Sequence, residues 1–71
     1  MRGDFFNKRL GKRIISQRKK LKLTQEELAW ITPMDRTYLA RIEEGRANPS
    51  VKMLYKIARK LNLPIYELLN A

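Results

Sequence analysis

The side chains able to do chemistry in this chain are mostly cationic. Sixteen Lys and Arg stand against seven Asp and Glu, a net charge of +9, with no His and no Cys. Eight of the basic residues lie between Lys8 and Lys22, where there is no acidic residue. Charge of this sign and density suits a polyanion, either nucleic acid or an anionic membrane surface. A solvated basic face kept for solubility is the plainer alternative. A second group lies in residues 36–44, RTYLARIEE. At about 100° per residue, Arg36, Ala40, Glu44, Thr37 and Arg41 share an arc of about 140° opposite Leu39 and Ile42. Catalysis has little to work with. No histidine is present as a base, and three glycines form no phosphate loop. No enzyme, cofactor, metal or small-molecule ligand is expected.

Those side chains need a scaffold, and 71 residues allow one small domain, residues 1–71. Hydrophobic content of 44% is too high for a disordered chain. The core must be thin. Disulfides and the usual zinc sites are excluded by composition, so self-association is the remaining common aid. Apolar runs are a few residues long and no signal peptide is visible, so no membrane span and a cytoplasmic location are expected.

Periodicity gives five helices and no strand. Residues 5–21 carry Phe6, Leu10, Ile14 and Leu21 on one face, with Arg18 among them, behind a flexible arm at residues 1–4. Thr24 caps a second helix, with Glu27 at capping-box spacing. Leu28, Ala29, Ile31 and Thr32 form its inner face, and Trp30 points outward. Asp35 caps a third helix, Arg36 to Glu44, which stops at Gly45. Tyr38 sits at the edge between its two faces. GRANPS is a loop. Ser50 caps a fourth helix, Val51–Leu61, with a stripe of Val51, Leu54, Ile57, Ala58 and Leu61. A short fifth helix covers Ile65–Leu69.

Arg18 on an apolar stripe needs a partner, because an unpaired buried guanidinium is costly. Glu43, beside Leu39 and turned partly to the core, is the best placed carboxylate. The alternative is that Arg18 snorkels to solvent over a buried stem.

From Leu10 to Leu69 the chain resembles the lambda-repressor/Cro-like (XRE) helix-turn-helix family. The most specific segments are TQEELA, RTYLARIEEGRANPS and LYKIARKLNL. DRTYL followed by IEEGRANPS is similar to small regulators such as phage repressors and restriction-modification controllers. The resemblance implies an all-α, five-helix, lambda-repressor-like fold, with helices 2 and 3 (about residues 24–44) as the helix-turn-helix. It also implies an Arg18–Glu43 ion pair. It further implies a transcriptional regulator, repressor-like, that reads a near-palindromic operator in the major groove of double-stranded DNA as a homodimer. On that basis Arg36, Thr37, Ala40 and Arg41 are expected at bases, and Thr24, Gln25, Tyr38, Arg46 and Asn48 at phosphates. Arginine meets guanine O6 and N7 at two points and threonine meets a thymine methyl. Ile65, Tyr66, Leu68 and Leu69 offer a dimer contact, with Tyr55 beside them. The alternative for the apolar three is that they fold back on helices 1 and 4.

Three residues depart from the family pattern. Pro33 stands where glycine is common, so helix 2 is expected to end early, with Thr32 extended, Pro33 and Met34 bridging, and Met34 filling the core beneath. Glu44 lies on the groove-facing arc. Trp30 is apolar where the family is usually polar. Two other classes stay open: an antitoxin or other partner-dependent regulator acting by protein contact, and a membrane-active cationic peptide. The spread of basic residues around helix 1 argues against the second.

Overall fold

The structure, a computed structural model, describes residues 2–71, with side chains from Phe5 onward. Five helices follow in order: α1 (Arg2–Lys20), α2 (Gln25–Ile31), α3 (Arg36–Glu43), α4 (Val51–Lys60) and α5 (Tyr66–Leu69). No strand occurs among the described residues. Of the arm expected over residues 1–4, Met1 lies outside the described residues, and Arg2–Asp4 form the first turn of α1.

The starts of α2, α3 and α4 each have a side-chain cap. Thr24 Oγ1 accepts from the Glu27 N–H at 3.0 Å, and Glu27 Oε1 accepts from the Thr24 N–H at 2.8 Å, a complete capping box. Ser50 Oγ accepts from the Met53 N–H at 3.1 Å. Asp35 Oδ1 accepts from the Thr37 N–H over a longer 3.4 Å.

Three helix ends share one closing motif. A residue with positive φ follows the cap: Lys22 at 61°, Gly45 at 76° and Asn62 at 59°. Two backbone bonds then lock each turn, as in Arg46 N–H to the Arg41 carbonyl (2.9 Å) and Gly45 N–H to the Ile42 carbonyl (3.0 Å). The end of α2 differs. Pro33 has no N–H and cannot take positive φ, so one of the two bonds is absent. The other survives, from Met34 N–H to the Ala29 carbonyl at 2.9 Å.

Thr32 therefore corrects an expectation. It is not extended but sits at φ −86°, ψ −1°, near the bridge region. Its buried side chain holds it there. Oγ1 donates to the Leu28 carbonyl at 2.6 Å, and its N–H reaches the same oxygen at 3.0 Å. Met34 packs half-buried against the core under this corner.

The core joins all five helices: Leu10 and Ile14 from α1, Leu28 and Ala29 from α2, Leu39 and Ile42 from α3, Leu54, Ile57 and Ala58 from α4, and Leu68 from α5. Leu61 and the loop residue Ala47 complete it. Three expectations about burial need correction. Val51 is 56% exposed, because it lies at the first turn of α4 where no neighbour covers it. Ile31 is exposed at the end of the short α2. Leu68, expected at a dimer contact, is fully buried in the protomer's own core and is unavailable to a second copy. No helix among the described residues is long and apolar enough to cross a membrane.

Candidate nucleic-acid interface

The outward face of α3 is built from both of its ends. At its start, the Pro33 corner and the Asp35 cap aim the first turn. At its end, Glu43 anchors it to two other helices. The Glu43 carboxylate accepts from Arg18 Nε at 2.8 Å and Nη2 at 3.1 Å, and from Gln25 Nε2 at 2.9 Å. Arg18 Nη1 also donates to the Leu23 carbonyl at 2.9 Å. The side chains of Arg18 and Glu43 are 11% and 3% exposed. A charge-assisted, two-point pair with a third donor is strong and geometrically specific. It fixes the tilt of α3 relative to α1 and the start of α2.

A second anchor was not anticipated from the sequence. Gly11 of α1 sits directly against the end of α3. A Cβ there would fall within 2.7 Å of the Ile42 carbonyl oxygen and closer still to that of Glu43. Only glycine lets α1 cross at this distance. The signal was available, since a mid-helix glycine costs about 1 kcal/mol relative to alanine and so needs a reason. Gln17 was also missed. It is buried and donates from Nε2 to the Leu61 carbonyl at 3.0 Å, closing the end of α4.

With α3 held this way, Arg36, Thr37 and Arg41 are exposed, and Ala40 between them is half-buried. Among the nine contact positions expected from the sequence, Thr24, Arg46 and Asn48 are exposed as well. Tyr38 is half-buried and packs on the core edge. Gln25 is half-buried and its amide serves Glu43, which leaves its backbone N–H at the start of α2. Such first-turn N–H groups suit a phosphate. Glu44, the cap residue of α3, is exposed.

The basic stretch 8–22 divides in two. Arg9, Arg13 and Arg18 serve the fold: Arg9 Nε donates to the Ala71 carbonyl at 2.7 Å, and Arg13 Nη2 meets Glu67 Oε1 at 2.7 Å. Lys8, Lys12, Lys19, Lys20 and Lys22 are exposed. Lys8 is backed against Gly45, beside Arg46, so the positive surface continues from the α3–α4 loop onto α1. On α4, Lys52, Lys56, Arg59 and Lys60 are exposed. On α2, Trp30 is 83% exposed and lines an open groove of about 510 Å³ with Leu23, Glu26, Glu27 and Ile31.

Of the residues expected at a dimer contact, Tyr66 and Leu69 are exposed, at 58% and 42%. Ile65 is half-buried against the core. Tyr55, on α4, is 53% exposed.

Comparison with known proteins agrees with this geometry. The HTH_3 model, described as helix-turn-helix, matches residues 14–68. The ImmF control region 10 kDa protein of Bacillus phage phi105 is 47% identical over 58 residues, 82% of this chain and 64% of that protein. Among solved structures, the restriction-modification controller protein C.AhdI from Aeromonas hydrophila superposes with a TM-score of 0.84 at 32% identity, covering 87% of this chain and 94% of that one. The controller C.Esp1396I, solved as a tetramer with its natural 35 base-pair operator, gives a TM-score of 0.79 at 30% identity over 92% of this chain and 96% of its own. The chain belongs to the HTH_3 helix-turn-helix family of transcriptional regulators.

Proposed function

We propose that the chain is a sequence-specific regulator that reads double-stranded DNA through the major groove with α3, and represses transcription from a near-palindromic operator bound as a homodimer. The observation that carries this reading is the outward face of Arg36, Thr37 and Arg41 around half-buried Ala40, on a helix whose angle is fixed by the Arg18–Glu43–Gln25 cluster. With its side chains an α-helix is about 10–12 Å across, which the major groove, about 12 Å wide, admits. Arg36 and Arg41 offer two-point contacts to guanine, and Thr37 and Ala40 offer apolar contact to thymine methyl groups. The first turn of α2 and the loop bearing Arg46 and Asn48 lie to either side of α3 in the chain and hold phosphates. No step requires catalysis or a cofactor, and the work of such a regulator lies in the cytoplasm.

One α3 contacts too few base pairs to find a site among many competitors. A two-fold dimer doubles the readout and demands half-sites about one turn apart, roughly 34 Å. Exposed Tyr66 and Leu69 supply its contact, with exposed Tyr55 of α4 and half-buried Ile65 adding to it. The test is a competition gel shift between a duplex enriched from a random pool and an unselected one. A preference of about 10³-fold or more supports the reading, and equal binding refutes it. A second reading, a partner-dependent regulator acting by protein contact, is favoured by the exposed Trp30 groove alone.

A further inference from the structure

Glu44 is a carboxylate that the fold does not use. The closing bonds of α3 come from backbone groups of Gly45 and Arg46. A negative charge at a helix C-terminus opposes the helix dipole. Its one ionic neighbour among the described residues, Arg46 Nη1, lies 3.5 Å away with both side chains more than half exposed, and such pairs contribute little. Yet Glu44 sits four residues after Ala40 and eight after Arg36, on the same stripe as the residues assigned to base reading. In a chain of net charge +9, a carboxylate on the surface that meets phosphates weakens binding to every duplex, unless a base offers it a hydrogen-bond donor. In the major groove the donor suited to an acidic side chain is the N4 amine of cytosine.

We infer that Glu44 is a specificity-determining residue that selects a cytosine and penalises all other sequences, an inference that rests on the proposed DNA-reading role of α3. Specificity is a difference between affinities, and a repulsive element sharpens it as effectively as an attractive one. The loose pair with Arg46 leaves the carboxylate free to turn to a base while Arg46 turns to a phosphate.

The position of the cytosine follows from the helix. Eight residues from Arg36 to Glu44 rise about 12 Å, or three to four base pairs at about 3.4 Å each. The experiment is site selection from random duplex DNA by the parent, Glu44→Gln and Glu44→Ala, with affinity for unselected duplex measured alongside. Arg36→Ala, run in parallel, marks the base pair that Arg36 reads. The parent is expected to enrich a cytosine three to four base pairs from that mark. Glu44→Gln should lose the cytosine preference by roughly 5- to 150-fold, the equivalent of one good side chain–base contact, and shift it towards adenine, which glutamine reads through N6 and N7. Glu44→Ala should lose the preference without replacing it. Both variants should bind unselected duplex more tightly than the parent. A parent with no cytosine at that position overturns the inference, as do variants that select the parent's site and bind unselected duplex no better. A parent that selects no sequence at all refutes the DNA-reading role itself, and the inference with it.

Discussion

Replacing Arg18 by Ala removes the contacts that tie α1 to the end of α3. Three hydrogen bonds go: two to Glu43, at 2.8 and 3.1 Å, and one to the Leu23 carbonyl, at 2.9 Å. The Glu43 carboxylate, 3% exposed, is left with a single donor, Gln25. Water cannot reach it without local opening. Removing one partner of a buried pair in this way costs about 3–5 kcal/mol. A chain of 71 residues has a total stability of roughly 4–11 kcal/mol at the usual 0.05–0.15 per residue. The variant should therefore sit at the margin of folding. A control separates charge from packing. In the double variant Arg18→Met, Glu43→Leu no charge is stranded, and stability should recover most of the loss, although Gln25 then loses its acceptor. The assay is urea denaturation at neutral pH, reading the midpoint with the slope held in common. An Arg18→Ala stability, midpoint times common slope, within about 0.5 kcal/mol of the parent would refute the reasoning. So would a double variant no more stable than the single.

Other substitutions probe the remaining parts. Gly11→Ala gains about 1 kcal/mol of helix propensity but drives a methyl group into two α3 carbonyls, so a net loss of about 1–3 kcal/mol is expected; a variant at least as stable as the parent in urea contradicts the close approach. Arg36→Ala and Arg41→Ala should each cost about 1–3 kcal/mol on the selected duplex and relax one base pair. Arg46→Ala should weaken all duplexes alike and lower the salt slope by about one unit; the reverse pattern would exchange their roles. Leu69→Asp should leave the protomer folded, since Leu69 is exposed, but halve the mass measured by sedimentation, whereas Leu68→Asp should unfold the chain. A parent that sediments as a monomer, free and on selected DNA, rules out the dimer.

What the sequence discloses depends on how local the cause is. The capping box at Thr24 and Glu27 needs only two residues at fixed spacing, and the same bonds stand in the structure. The Arg18–Glu43 contact joins residues 25 apart, yet it was legible because a guanidinium on an apolar stripe demands a carboxylate and few were free. Val51 and Leu68 were misread for the opposite reason. Helical spacing says which residues share a face but not where the neighbouring helix ends. Val51 lies beyond that cover, and Leu68 lies fully beneath it. Thr32 was misread because the rule for residues before proline is an average, and a buried hydroxyl bonded to the Leu28 carbonyl outweighs it here. Gly11 and Gln17 were passed over because each acts on the backbone of a distant helix end; a mid-helix glycine signals that some close approach exists, but nothing within α1 says which backbone it meets. The outward face of α3 was legible as an arc. Its exposure depended on which elements pack behind it, and only the fold supplies that.

The central claim is that α3 lies in the major groove of a specific duplex and reads guanine edges. Guanine N7 faces that groove, so protection of N7 from methylation by dimethyl sulfate, on a duplex enriched by the parent, tests it most directly. The account predicts two protected patches about one helical turn apart, each losing a protected guanine in Arg36→Ala or Arg41→Ala while the complex still forms at higher protein concentration. Bound duplex whose guanines remain fully reactive at N7, or protection unchanged in both arginine variants, would contradict it.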